Sequence, residues 1–411
     1  MAPPLDVRAR LDEVPGLARL LSALEGLPAP VYLVGGAVRD LLRGATGSMD
    51  FDLALEGDAA AVAAELAGRL DGTVITHDRF GTATVRAEEL TADLATTRRE
   101  VYERPGALPT VEPAPLAEDL GRRDFTINAM AIGLCGDQLG TLHDPHGGQA
   151  DLDAGLIRVL HEGSFVEDPT RLLRALRYEA RLGFALEPET ERGARQAAAA
   201  GAPRTVSGPR IRDELMDLLA EPEAPVAVGR LRDLGIDKAL HPALVGDREL
   251  TASAQLGALE TGASPALAAL AGLCLAGIGD GLERWVVELA LPASEREAVL
   301  RAARRAPALA DELRSPLRAS ELYERLHGEP AETLALALAL GAPAGPILDS
   351  VGERPAARLE ITGADLLAAG VRESPSIGRA LRETLRRKLD GEISGRDEEL
   401  RMALVLAREE G

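Results

Sequence analysis

The chain has 411 residues and a formal net charge of −20 at pH 7; 46% of it is apolar but only 2% is aromatic. That length suggests two or three domains at about 150 residues each, with aliphatic cores of Ala, Leu and Val that suit packed helices. Two cysteines in apolar contexts, Cys135 and Cys274, exclude a disulfide framework and a cysteine metal site, and the longest apolar runs, 266–278 and 334–340, are too short to span a bilayer and read as buried helices.

Val7 to Leu24 reads as a leading helix, ended by Gly26 and Pro28. Its surroundings carry Asp6, Asp12 and Glu13 and lack the apolar stretch of a signal peptide, so a reducing cytoplasm is expected. Residues 31–144 alternate strands and helices. The pattern predicts strand Val31–Val34, helix Ala37–Leu42, a strand entered at Met49 and running over Phe51–Leu55, and helix Ala59–Leu70. Strands Thr73–Ile75, Thr82–Arg86 and Ala92–Thr96 follow in close succession, as a mixed sheet needs. Ile127–Leu134 adds a further strand or a helix–strand junction. From about residue 163 the pattern is helical almost to the end. Breaks fall at Gly183, Gly201-Ala202-Pro203, Ser207-Gly208-Pro209, Glu221-Pro222 and Gly235, then near Pro292, Pro316, Gly341 to Pro346, and Pro355. No repeat of fixed period and no low-complexity linker separates the parts.

Three short segments carry the chemistry: Gly35-Gly36-Ala37-Val38-Arg39-Asp40, Asp50-Phe51-Asp52, and Arg122-Arg123-Asp124-Phe125-Thr126-Ile127-Asn128-Ala129-Met130. Alone, a Gly-Gly before a helix is a turn, an Asp-x-Asp is a solvated strand end, and an Arg-Arg-Asp is a surface charge cluster. Their order and spacing favour a sharper reading. A Gly-Gly turn after an apolar strand lets bare backbone N–H groups approach a triphosphate. Period 2 along a strand puts Asp50 and Asp52 on one face, where they can share a divalent metal.

Further segments match a known pattern. Asp144-Pro145-His146-Gly147-Gly148 with Asp151-Leu152 is one; Glu167-Asp168-Pro169-Thr170-Arg171, continuing to Arg174, Arg177 and Leu182-Gly183-Phe184, is another. With the stretch from Arg98 to Pro113, similar to a loop between palm strands, they make the chain resemble the class II tRNA nucleotidyltransferase and poly(A) polymerase family of the polymerase-β superfamily. The resemblance is clear over about residues 30–220. It implies an α+β fold: a polymerase-β-like palm, a mixed sheet with helices, followed by an all-α neck, body and tail. The expected division is a nucleotidyltransferase head at 1–150, a neck with base recognition at 151–222, and an RNA-binding body and tail at 223–411.

The resemblance implies addition of C and/or A to tRNA 3′ ends from CTP and ATP, without a nucleic-acid template. Addition of CC only or A only and poly(A) synthesis share the motif set, whereas a non-catalytic RNA- or nucleotide-binding relative would be expected to have lost an Asp of the Asp-x-Asp, and Asp50 and Asp52 are both present. The mixed, partly acidic C-terminus (Asp397 to Glu399, Glu409, Glu410) favours the tRNA-end enzymes over poly(A) polymerases. Two Mg²⁺ ions on Asp50 and Asp52 are implied, with Asp93 a third carboxylate on a neighbouring strand. Gly35, Gly36, Arg39, Arg122, Arg123, Asp124 and Asn128 are expected around the ribose and phosphates. For Arg39, an ion pair with Asp40 or with a metal aspartate competes with the phosphate role.

Asp168, Arg171, Arg174 and Arg177 recur every third residue and so would climb one side of a helix, with an Asp168–Arg171 ion pair as the plain alternative. A carboxylate only accepts hydrogen bonds and a guanidinium only donates them. Cytosine and adenine each present an amino donor beside a ring-nitrogen acceptor; uracil and guanine present the reverse. Asp168 with Arg171 can therefore select C and A, and by resemblance these are the family's base-reading positions.

Two departures stand out. Pro209 occupies a position where the family often carries Glu, before Arg210. The dipeptides His77-Asp78 and His143-Asp144 lie in the palm, and His241 and His327 precede no Asp, so no added phosphohydrolase metal site is expected. The partners implied are the tRNA acceptor end, CTP and ATP, with neither membrane nor DNA. Only Lys238 and Lys388 interrupt an otherwise all-arginine set of 46 basic residues. RNA contacts are expected on the neck and on the tail around Arg379, Arg382, Arg386, Arg387 and Lys388, despite the acidic total.

Overall fold

The computed structural model of the chain describes residues 7–27, 29–44, 50–77, 81–88, 90–277, 279–351 and 358–409. Met49, Asp78, Ile278, Pro355 and Glu410 lie outside them, as do Asp6 and Pro28. Two compact units are present: Met1–Glu223 with Arg230–Pro242, and Ala224–Gly229 with Ala243–Gly411.

The first unit is built on a mixed sheet. In chain order its strands are β1 (Val31–Val34), β2 (Phe51–Leu55), β3 (Thr73–His77), β4 (Thr82–Ala87) and β5 (Leu90–Thr96). A separate hairpin follows, β6 (Arg98–Val101) with β7 (Thr110–Pro113), then β8 (Ala131–Gly133) and β9 (Leu142–His143) rejoin the sheet. The spatial order is β3-β4-β5-β2-β1-β8-β9. Among the described residues of this sheet, only β2 and β5 pair in parallel; they are joined through the long excursion that contains helix Ala59–Arg69 and β3–β4. β1 is apolar and buried on both faces, as a central strand must be. The helix Ala59–Arg69 starts where the Asp58 carboxylate accepts the Ala60 and Ala61 N–H groups at 3.0 and 3.2 Å. It buries Val62, Ala63, Leu66 and Ala67, a helical stripe against the sheet.

Several boundaries differ from the sequence reading. The leading helix is two, Val7–Asp12 and Leu17–Leu24, because Pro15 and a left-handed Gly16 at φ +80° interrupt it. The Arg98–Pro113 stretch is a β-hairpin rather than a plain loop. Ile127–Leu134 is a helix–strand junction, a 3₁₀ turn over Thr126–Asn128 leading into β8. Within the helical region, Gly183 at φ +67° turns the chain so that Ala185–Leu186 pairs in parallel with Leu156–Ile157. Helices Thr170–Leu182 and Gly208–Ala220 are bound by ion pairs of Arg174 and Arg177 with Glu214, at 2.9 and 3.5 Å.

The second unit is all helical among its described residues. Helix Pro265–Cys274 is buried along its whole length. Helices Arg248–Thr261 and Ala331–Ala339 approach so closely that a Cβ on Gly257 would sit 2.6 Å from the Ala335 carbonyl oxygen. The lone tryptophan, Trp285, lies on helix Asp280–Glu288. The last three helices, Gly363–Ala368, Pro375–Leu389 and Arg396–Glu409, close around Ile361, Leu366, Ala380, Ala403 and Ala407. Lys388, expected among the RNA contacts, is engaged within the protein. Its Nζ donates to the fully buried Glu399 carboxylate at 2.6 Å, which also accepts the Glu360 and Ile361 N–H groups. Arg386 and Arg387 both lie against Glu383, at 3.0 and 3.2 Å. Among the described residues, no helix is long and apolar enough to cross a membrane.

Candidate functional site

The turn after β1 sets one wall of a cleft in the first unit. Gly35 adopts φ +70°, ψ −135°, a conformation that needs glycine, and helix Gly36–Leu42 starts directly after it. A Cβ on Gly35 would lie 3.0 Å from Arg123 Nη1 and 4.0 Å from Asp52 Oδ2. The glycine thus lets a cation and a carboxylate meet beside bare backbone.

β2 and β5 supply the carboxylates. Their parallel register sets Asp52 directly beside Asp93, while Asp50 lies immediately before β2 rather than on it. The Thr84 hydroxyl, opposite Asp93 on β4, donates to Asp93 Oδ1 at 2.5 Å. Partial burial raises the Asp52 carboxyl above the usual range; the Asp93 charge, and less strongly that of Asp50, push the same way, while Arg123 opposes them. Among the described residues, no three His, Cys, Asp or Glu side chains close into a finished metal site. Paired hard oxygens with room beside them suit Mg²⁺, which takes one or two carboxylates plus substrate phosphates rather than an all-protein cage.

The three expected phosphate cations differ in how far they are committed. Arg39 is 3% exposed; its Nε and Nη2 donate to both oxygens of Asp40 at 2.9 Å, and its Nη1 donates to Asn128 Oδ1 at 2.8 Å. The neighbouring carboxylate has taken it. Arg122 donates through Nε and Nη2 to Asp119 Oδ1 at 3.0 and 2.8 Å, and through Nη1 to Glu100 at 2.8 Å. Arg123 places only Nη2 on Asp119 Oδ2, at 3.0 Å, and its buried Nε meets no acceptor among the described residues.

Asp124 is buried and accepts the Phe125 N–H, the Asn128 amide and, at 2.9 and 2.7 Å, Arg174 Nε and Nη2. Burial pushes its carboxyl up, but the Arg174 charge and these hydrogen bonds outweigh it and hold the group below the usual range. Arg174 also reaches Glu214, and Arg177 pairs with Asp217 and Glu214. The guanidiniums of Arg39, Arg174 and Arg177 surround the Tyr178 ring, 5.2, 5.6 and 5.7 Å from its centroid.

Asp168 does not share a helix with the arginines after it: it precedes helix Thr170–Leu182 in extended conformation. Nor does it pair with Arg171. Its Oδ1 accepts the Thr170 N–H and hydroxyl and, at 2.8 Å, Arg210 Nη2. Arg171 donates to the Ser164 hydroxyl at 2.6 Å and the Arg122 carbonyl at 2.7 Å. Among the described residues, the side-chain bonds of Asp168 all fall on Oδ1, so Oδ2 keeps its acceptor capacity.

The cleft has a volume of about 420 Å³. Of the residues singled out in the sequence, Asp50, Asp93 and Arg177 lie outside its lining; the others line it, joined by Glu100, Tyr102, Tyr178 and Arg181. Sequence reasoning missed Asp119, Glu100, Tyr178 and Arg210. The spacing of Asp119 to Arg122 and Arg123, three and four residues, was a usable signal. Arg210 is 42 positions from Asp168 and gave none. Opposed carboxylates and guanidiniums around open space, with a carboxylate–guanidinium pair at one end, can hold a polyanion and read a polar edge.

The comparisons agree with that chemistry. The family pattern described as "Poly A polymerase head domain" matches residues 31–158, and "Probable RNA and SrmB- binding site of polymerase A" matches residues 183–246. An "A-adding tRNA nucleotidyltransferase" of Geobacter sulfurreducens is 36% identical over 93% of this chain, which spans about half, 46%, of that protein's length. An enzyme of the same name from Halalkalibacterium halodurans is 35% identical, covering 95% of this chain and 92% of that one. A "CC-adding tRNA nucleotidyltransferase" of Deinococcus radiodurans is 34% identical, covering 92% and 90%. Among solved structures, an apo CCA-adding enzyme superposes with a TM-score of 0.85 at 33% identity, over 98% of this chain and 99% of that one. The Thermotoga maritima CCA-adding enzyme complexed with tRNA_CCA gives 0.76 at 30% identity, over 98% of each chain. Near-complete coverage of relatives at these identities shows the family: the chain belongs to the tRNA nucleotidyltransferases.

Proposed function

We propose that this chain adds C and/or A to the 3′ end of tRNA without a nucleic-acid template. The RNA 3′-hydroxyl attacks the α-phosphate of CTP or ATP; the new phosphodiester forms as the bond to pyrophosphate breaks. The observation that carries this reading is the placing of Asp52 and Arg123 beside the Gly35 turn, in one cleft with Asp168 and Arg171. Transfer of this kind depends on alignment and charge neutralisation rather than on covalent catalysis.

In this reading Asp50 and Asp52 hold Mg²⁺, with Asp93 as the third carboxylate; the bound metal would acidify the 3′-hydroxyl and neutralise the leaving pyrophosphate. Gly35 and Gly36 present backbone N–H groups to the triphosphate, and Arg123, the cation with spare donors, contacts it. Asp124 and Asn128 form the floor of the nucleotide pocket, with Arg39, Arg122 and Arg174 holding its walls and Arg177 behind them on Glu214 and Asp217. Asp168 and Arg171 read the base: a carboxylate oxygen accepts the amino group of C or A while the guanidinium donates to N3 or N1. The head spans 1–150, the neck 151–222, and the helices of 223–411 carry the RNA. CTP, ATP and tRNA are the substrates, and the cytoplasm, where they meet, is the place of action.

Single-nucleotide specialisation is a second reading. It is favoured by the A-adding and CC-adding names of the relatives that this chain matches over nearly their whole length, at 35% and 34% identity. One experiment tests both. tRNA transcripts ending before the first C, the second C or the terminal A are incubated with each triphosphate singly and resolved on a sequencing gel. Extension of all three transcripts gives CCA addition, extension of one class gives a partial enzyme, and a long A ladder gives a poly(A) polymerase. No extension of any transcript overturns the proposal.

A further inference from the structure

Asp119 was not among the motif residues, yet it organises the cation pair of the cleft. It lies three and four residues before Arg122 and Arg123, within the short helix Leu116–Gly121, and its side chain is 2% exposed. Oδ1 accepts Arg122 Nε and Nη2 and the Arg98 backbone N–H, at 3.0, 2.8 and 3.1 Å; Oδ2 accepts Arg123 Nη2 at 3.0 Å. Arg122 then meets a second carboxylate, Glu100, at 2.8 Å. Two carboxylates thus pair with Arg122 through all three of its nitrogens. Arg123 receives one oxygen of a shared carboxylate, keeps a buried Nε with no acceptor among the described residues, and sets Nη1 at the bare face of Gly35. A buried N–H without an acceptor is costly and calls for a ligand oxygen.

We propose that Asp119 is a positioning residue that divides the labour of the arginine pair. It retires Arg122 into the wall as a neutralised strut and fixes Arg123, by one arm only, as the cation that receives the triphosphate. This rests on the nucleotidyltransferase reading of the cleft. Asp119 itself touches no substrate. Asparagine at this position would turn one acceptor into an N–H₂ donor facing a guanidinium donor, so one arginine would be expelled from its place.

The test uses Asp119→Asn with two readouts: incorporation kinetics with saturating tRNA, and binding of inorganic tripolyphosphate to the protein alone. The expected result is a KM for CTP or ATP raised roughly ten- to hundredfold, about 1.4 kcal/mol per decade, with kcat changed much less. Tripolyphosphate affinity falls by a similar factor and discrimination against UTP and GTP is retained. KM and tripolyphosphate affinity both within about twofold of wild type would overturn the proposal. Should Asp119→Asn fail to fold, Arg123→Met and Arg122→Met decide instead: the proposal requires the first to cost at least tenfold more tripolyphosphate affinity than the second, and equal losses overturn it. A wild-type protein that binds tripolyphosphate but extends no tRNA would refute the functional reading, while the binding arm still judges Asp119.

Discussion

Gly35 shows how a single residue can satisfy two demands. Its φ of +70° excludes side chains on backbone grounds, and its missing Cβ leaves room for Arg123 Nη1 at 3.0 Å. Gly35→Ala should therefore lose stability by about 1–3 kcal/mol and raise the KM for nucleotide, checked by thermal unfolding and incorporation kinetics. Asp168 gives a sharper prediction. Its Oδ1 is held by Thr170 and Arg210, so truncation removes the acceptor offered by Oδ2. Asp168→Ala should lower the ratio of kcat/KM for C and A over U and G by roughly ten- to hundredfold, because a carboxylate facing a carbonyl penalises the wrong bases. Single-nucleotide kinetics with all four triphosphates would show it; unchanged preference with lost stability would mean the residue only braces the fold. Asp124 adds a pH signature. Its folded-state pKa lies below the usual range, so its contribution is fully present above the unfolded value near 4 and is lost as pH falls through the folded value. Asp124→Asn should destabilise by about 3–5 kcal/mol at neutral pH, and the gap in Tm from wild type should shrink as the pH falls below the unfolded value.

At the level of elements, the strand–turn–helix over Val31–Leu42 was legible from an apolar run, a Gly-Gly and a following helical stripe. So were both aspartate-bearing strands. What the residues could not show was their pairing. Asp52 and Asp93 meet because β2 and β5 run parallel in a given register, and that register is set by a long excursion through other elements. The partners of Arg39 and Arg210 were hard to read for opposite reasons. The first was claimed by its own neighbour, Asp40, which sequence could only offer as an alternative; the second acts across 42 residues. If β2 presents the metal-binding face, Asp50→Ala and Asp52→Ala should each leave less than a few per cent of turnover, with circular dichroism and Tm little changed. More activity than that in both variants would remove the metal assignment.

On the scale of the whole molecule, a net charge of −20 must coexist with RNA binding. Many arginines are already matched by carboxylates, as in the cleft and around Glu383 and Glu329. tRNA contacts must then come from the local surplus of guanidinium charge. Affinity for tRNA should fall by one to three decades between about 50 and 200 mM salt if a few phosphates are contacted; a flat salt dependence would refute phosphate contacts. Lys388 belongs to the architecture instead, so Lys388→Ala should loosen the last three helices, read as faster proteolysis near the C-terminus, before it weakens RNA binding.

The scarcity of aromatic side chains has a practical consequence for watching this protein unfold. Its single indole, Trp285, sits in the all-helical second unit, so tryptophan emission reports on that unit from within while the sheet-bearing unit holds no such chromophore. Far-ultraviolet dichroism sums over both. If the two units melt independently, the optical transitions will not coincide, and the lag between them measures the difference in their cooperative stabilities without any label being introduced.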